Sequence, residues 1–148
     1  MKIYTIGIGL IGGSFAMEMR KLFPKSTIIG IDKSENNLNK AHELGIIDKK
    51  SCLSEISNAD IILVSVPVKS IINLLPNILD KVNKNTLVID FGSTKNSICN
   101  VIKDHPNREN FLATHPIAGT EFSGPTAAHK GLFANKNIII CDKHRTNQ

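Results

Sequence analysis

Apolar, β-branched runs alternate with helical stretches along almost the whole chain, and this alternation limits the fold more than any other feature. "KIYTIGI" (2–8), "STIIGID" (26–32), "ADIILVSVPV" (59–68), "NTLVIDFG" (85–92), "NFLATHP" (110–116) and "NKNIIICD" (135–142) read as strands. Between them, "LIGGSFAMEMRKLF" (10–23), "SENNLNKAHELG" (34–45), "KSIINLLPNILDKV" (69–82) and "TKNSICNVIKDH" (94–105) read as helices. Pro24 stops the first helix, Ser34 caps and Gly45 stops the second, and Pro76 interrupts the third. The run at 59–68 is apolar almost throughout, as a strand buried on both faces is. Strands joined through helices imply βαβ crossovers, so the expected class is α/β with a doubly wound, mostly parallel sheet. A single domain over residues 1–142 uses all of these elements. Residues 143–148 read as a polar, structureless tail or the start of a linker.

"GIGLIGGS" follows the first strand and opens the first helix, placing Gly7, Gly9 and Gly12 in G-x-G-x-x-G spacing. Gly7 permits a tight turn, Gly9 lets backbone approach a pyrophosphate, and Gly12 lets the helix pack closely on the strand. The helix N-terminus adds free N–H groups and a positive dipole for the phosphates. Asp32, at the end of the second strand, is placed to accept hydrogen bonds from a ribose. Its charge repels a 2′-phosphate and so favours NAD over NADP, although Lys33 beside it works the other way. This is the signature of a Rossmann-like dinucleotide-binding domain.

Composition removes other classes. The 18 Lys and Arg outnumber the 13 Asp and Glu for a net charge of +5, but they are scattered. No basic stripe with interleaved aromatics argues for nucleic acid. No apolar run approaches the roughly 20 residues of a membrane span. "MKIYTIG" enters a strand pattern directly, with no signal peptide ahead of it. Cys52, Cys99 and Cys141 are odd in number and never in C-x-x-C, which fits reduced thiols in a cytoplasmic protein and neither a disulfide frame nor a metal site.

The remaining strands should deliver ligand-facing residues at their carboxyl ends. "SVPV" puts Ser65, Val66 and Pro67 there, either as an apolar wall beside the cofactor or as a plain strand terminator. "DFGSTK" supplies Asp90, Gly92, Ser93 and Lys95. Ser93 suits the cap of the next helix, and it also suits a hydroxyl turned into the cleft. His105 and His115 both precede proline. His105 lies in the charged "KDHPNREN" and reads as a solvated turn residue. His115 ends "FLAT" on the same sheet edge as Gly9, Val66 and Ser93, where it is either a general base or a structural histidine. Gly119 and Gly124 suit a loop closing over a ligand, with Glu121 and Ser123 on its polar rim. His42 and His129 read as surface residues of helices.

Taken together, "GLIGGS", Asp32, "SVPV", "DFGSTK" and "THPIAGTEFSGPTAAHKGLF" resemble the prephenate dehydrogenases and the related arogenate dehydrogenases. The D-x-G-S-x-K and H-P-x-A-G-[ST]-E-x-S-G blocks in this order carry the resemblance, which runs from Met1 to about Cys141. It implies NAD-dependent oxidative decarboxylation of prephenate to 4-hydroxyphenylpyruvate in tyrosine biosynthesis. His115 would take the proton of the ring hydroxyl, Ser93 would orient His115, and Glu121 would gate the site with Thr120 and Ser123 beside it. Gly7, Gly9, Leu10, Ile11, Gly12, Asp32, Val66 and Pro67 would hold NAD. Arogenate dehydrogenase and a non-catalytic NAD-binding module are the alternatives. "THPIAGTE" argues against another two-domain dehydrogenase of the β-hydroxyacid or imine-reducing type.

Members of that family carry a second, all-helical domain that supplies the homodimer interface and an arginine for the substrate carboxylate. Nothing after Cys141 suffices to build it, so a fragment or a truncated gene product is expected, with weak or no turnover by itself and an exposed apolar face.

Overall fold

A computed structural model describes residues 1–147; Gln148 lies outside the described residues. Seven strands form one sheet: β1 (Lys2–Ile6), β2 (Thr27–Ile31), β3 (Lys49–Lys50), β4 (Ile61–Val64), β5 (Leu87–Asp90), β6 (Phe111–Pro116) and β7 (Ile138–Cys141). Their order is β3-β2-β1-β4-β5-β6-β7, parallel throughout except for β7, which runs antiparallel to β6. The doubly wound expectation therefore holds. The chain winds outward in both directions from β1 and β4, and a crevice opens at the carboxyl ends where the order reverses.

The helices are α1 (Leu10–Leu22), α2 (Glu35–Glu43), α3 (Val68–Lys81) and α4 (Asn96–Val101). Strand side chains alternate between two cores. On one face, Tyr4, Ile6, Ile62 and Val64 pack with Ile71, Leu75, Ile78 and Leu79 of α3 and Ile98 of α4. On the other, Ile3, Ile28 and Leu63 pack with Ala16 and Met19 of α1 and Leu38 and Ala41 of α2.

Local chemistry explains the element ends. The Ser34 hydroxyl accepts from Asn37 N–H at 3.2 Å, so it does cap α2. Ser34→Ala should lower the unfolding free energy by about 1 kcal/mol, read from the denaturant midpoint. Pro76 does not interrupt α3, which is continuous across it. The lost N–H and ring clash cost about 3 kcal/mol, and four fully buried side chains hold the helix to the sheet regardless. β4 is shorter than the apolar run, because the chain leaves the sheet at Ser65 and Pro67 becomes the N-cap position of α3.

The closing segment has structure, contrary to the expected loose tail. Lys143–Arg145 form a 3₁₀ turn, the Thr146 hydroxyl donates to Phe111 O at 2.8 Å, and Asn147 N–H donates to Glu109 O at 2.9 Å. These bonds satisfy backbone acceptors at the start of β6. A purely polar sequence can dock this way without any apolar signal.

Candidate functional site

The glycine loop is built as a seat with one open position. Gly7 has φ +88°, and a Cβ there would lie 2.4 Å from Ser65 O. A Cβ on Gly12 would lie 2.1 Å from Gly7 O, so helix and strand meet there at backbone distance. Gly9 differs: a Cβ would meet nothing within 4 Å. It occupies the N-cap of α1, where no side chain caps the helix and no acid sits in the first turn. An uncapped, unobstructed helix N-terminus suits an anion. Leu10 is buried and Ile11 half-buried, and both lie in the first turn of α1, whose backbone N–H groups have no intrahelical acceptor.

This contrast predicts two different losses. Gly12→Ala should destabilise the fold by about 3 kcal/mol, through overpacking against backbone. Gly9→Val should leave the melting temperature unchanged but weaken dinucleotide binding by about 100-fold, equivalent to about 2.7 kcal/mol.

Asp32 stands at the end of β2 and clasps the loop. Its Oδ2 accepts from Ile8 N–H at 2.8 Å and its Oδ1 from Ser34 N–H at 2.9 Å. Each oxygen keeps a further lone pair for a ribose hydroxyl. Val66 is half-buried against Gly7, and Pro67 is exposed beside it.

At the ends of β5 and β6, a buried charge pair joins two loops. Asp90, fully buried, pairs with Lys95 and accepts from Gly92 N–H at 2.9 Å and Thr114 N–H at 3.2 Å. Lys95 also donates to Thr114 O at 2.6 Å, and the Thr114 hydroxyl donates to Asp90 O at 2.6 Å. Burial pushes the Asp90 carboxyl above the ordinary carboxylate range, opposed by Lys95 and the two N–H donors. The clasp fixes the residue before His115 to the loop carrying Ser93. The sequence reading quoted both charged residues without a role; their spacing around "D-x-G-S-x-K" was the available signal.

Ser93 is exposed and does not cap α4, correcting the capping alternative. That helix starts at Asn96, with Lys95 in the N-cap position and no side-chain cap. His115 is half-buried, and its Nδ1 is buried without a hydrogen-bond partner. The ring therefore meets solvent through Nε2, at a cleft of about 380 Å³ lined by His115, Pro116, Ile117, Ala118, Gly119 and Lys136.

Thr120, Glu121 and Ser123 are exposed on the loop that follows, where the Thr120 hydroxyl accepts from Phe122 N–H at 3.2 Å. This loop crosses to α1, a contact the sequence reading missed. His129 N–H donates to Ser14 Oγ at 3.0 Å and Gly131 N–H to Glu18 Oε1 at 2.8 Å. A Cβ on Gly13 would sit 2.7 Å from that of Ala128. His129 thus lies in an exposed irregular segment and not on a helix. His42 is exposed on α2 as expected. His105 is not solvated: its Nε2 lies 3.2 Å from Asp80 Oδ1 and its Nδ1 accepts from Asn107 N–H. Among the described residues there is no group of three or more metal-ligating side chains, and no helix is long and apolar enough to cross a membrane.

A family model described as "Prephenate dehydrogenase, nucleotide-binding domain" matches residues 15–148. The prephenate dehydrogenase of Bacillus subtilis (strain 168) is 33% identical over 99% of this chain, and the match takes in 40% of that relative. The crystal structure of prephenate dehydrogenase from A. aeolicus in complex with hydroxyphenyl propionate and NAD⁺ superposes with a TM-score of 0.86 at 28% identity, over 99% of this chain and 52% of that one. Synechocystis arogenate dehydrogenase superposes with a TM-score of 0.84, also at 28% identity and with the same coverage. The chain thus spans about half, or less, of the length of these proteins.

Proposed function

The chain belongs to the prephenate dehydrogenase nucleotide-binding-domain family, and from that membership and the site geometry we propose that it is the NAD-binding, proton-abstracting half of a prephenate dehydrogenase. The reaction is oxidative decarboxylation of prephenate to 4-hydroxyphenylpyruvate, a step of tyrosine biosynthesis. The observation that carries this reading is His115. Its Nδ1 is buried and unpartnered, and its ring opens on a cleft at the carboxyl edge that also holds the open Gly9 seat.

Gly7, Gly9, Gly12 and the backbone of Leu10 and Ile11 hold the pyrophosphate, Asp32 the ribose, and Val66 and Pro67 the wall beside them. When bound, NAD⁺ supplies the hydride acceptor. His115 takes the proton of the substrate's ring hydroxyl, which sets up loss of hydride from the carbinol carbon and of the ring carboxylate as CO₂. Ser93, which makes no hydrogen bond to His115 in the structure, meets the same hydroxyl and orients His115 once substrate is bound. Glu121, with Thr120 and Ser123, gates entry from the crossing loop. The wall and cation that complete the substrate site come from outside these residues, in a helical domain that also forms a homodimer. The cytoplasm is the compartment that suits three free cysteines.

Arogenate is the second reading, favoured by the Synechocystis arogenate dehydrogenase match. The test is to incubate the gene product with NAD⁺ and either prephenate or arogenate while following absorbance of the reduced cofactor. The reading expects reduced cofactor with one of the two, and the preferred substrate chooses between them. NAD⁺ binding with no reduction of it by either substrate sinks the catalytic reading and leaves the binding module.

A further inference from the structure

β6 and β7 are antiparallel neighbours, which a turn of about two to five residues can join; residues 117–137 lie between them instead. An excursion of that length has a large conformational entropy to lose unless it is pinned. Loops this long in compact domains are usually functional. This one starts beside His115 and carries Thr120, Glu121 and Ser123. Its far limb lands on α1, the helix that opens at Gly9. Pro125–Ala127 form a 3₁₀ turn packed against α1 and α2, with Pro125 buried. Residues 117–124 therefore span from one fixed point, the end of β6, to another on the helices.

The pins on α1 are polar and stand one turn apart. Ser14 Oγ accepts from His129 N–H at 3.0 Å, and Glu18 Oε1 accepts from Gly131 N–H at 2.8 Å. Residues four apart on a helix share a face, so α1 turns a polar pair towards the loop. Ser14 is fully buried on a helix whose other buried residues are Leu10, Gly12, Gly13, Ala16 and Met19. Serine is a poorer helix former than alanine, and a buried hydroxyl is costly without a partner. Among the described residues, the partner it finds outside α1 is the loop. Phe15, next to Ser14, rests on Phe133 of the returning limb and on Phe91, two residues before Ser93, with ring centroids 5.3 and 4.6 Å apart. Each of these contacts is internal to the domain.

We propose that Ser14 and Glu18 are positioning residues for the dehydrogenase reaction. By holding residues 128–131 on α1, they set the path of residues 117–124 past His115. Glu121 and its neighbouring hydroxyls are thereby presented to the substrate in a fixed relation to the helix that seats the dinucleotide. Both pins lie beyond the first turn of α1, where the free N–H groups are. Their loss therefore falls on the substrate and not on dinucleotide binding. The inference rests on the dehydrogenase reading and deepens it.

Ser14→Ala and Glu18→Ala test it on the gene product. Each should lower kcat/KM for prephenate or arogenate, whichever is the substrate, by about tenfold, the effect of one hydrogen bond left unmade. The Kd for NAD⁺ should not change. Glu18→Gln keeps an accepting Oε1 and should restore kcat/KM to within about twofold of the unsubstituted value. Hydrogen–deuterium exchange of the amides of residues 117–131 should be about tenfold faster in both alanine variants and unchanged in Glu18→Gln. If Ser14→Ala fails to fold, the two Glu18 variants decide alone. Full kcat/KM in a variant whose loop exchanges faster overturns the inference, because the pins then serve stability only. Unchanged exchange overturns it too, as does a loss in kcat/KM matched by weaker NAD⁺ binding. An unsubstituted gene product that reduces NAD⁺ with neither substrate sinks the dehydrogenase reading itself, and this inference with it.

Discussion

His115→Asn should cut turnover about 10²- to 10⁴-fold, the contribution of a positioned general base, and leave NAD⁺ affinity unchanged. Asparagine keeps a polar group of similar reach at the end of β6 but cannot accept a proton at neutral pH. The glycine seat belongs to β1 and α1, at the middle of the sheet, whereas His115 sits on β6, the strand next to the edge. Binding and chemistry should therefore separate cleanly. Turnover, measured on the gene product by absorbance of the reduced cofactor, should fall in kcat. Calorimetric titration with NAD⁺ should be superimposable on the unsubstituted protein. A variant that keeps full turnover would return His115 to a structural role.

Lys95→Met should lower the unfolding free energy by about 3–5 kcal/mol, because it leaves a buried carboxylate without its cation. Lys95 is 12% exposed on its side chain and Asp90 is fully buried, so water cannot replace the lost partner. The pH dependence follows from the direction of the Asp90 shift, which burial drives upward. A group whose folded value is raised contributes stability that is fully present below its unfolded value, near about 3.9, and is lost as pH rises through the folded value. Losing Lys95 raises the folded value further. The deficit should therefore be smallest in acid and grow towards neutral pH. Denaturant unfolding at several pH values checks this. Asp90→Asn combined with Lys95→Met should recover most of the loss, since no buried charge remains.

Most of the sheet was legible in the sequence because its central parallel strands are largely buried on both faces and so read as apolar runs. β3 was not, since Lys49 and Lys50 are polar, exposed and only two residues long. Pro76 misled because local propensity carries no information about the four residues that hold α3 down. The placement of the glycine loop, Asp32 and His115 on one sheet edge was readable from their positions at strand ends. Neither the reach of the Asp90–Lys95 clasp to Thr114 nor the docking of residues 128–131 on α1 was, because both join residues distant in the chain through burial that periodicity does not report. Ser93 shows the limit most sharply. A serine two residues before Lys95 suggests a cap, but the clasp holds that turn and delays the helix to Asn96.

The central claim is that the carboxyl edge of this sheet is a dinucleotide seat, and calorimetric titration of the 148-residue chain with NAD⁺ and NADP⁺ tests it most directly. One saturable site that prefers NAD⁺ is the predicted result, with Gly9→Val weakening it about 100-fold in a protein of unchanged melting temperature. No saturable binding of either dinucleotide by the folded chain would contradict it.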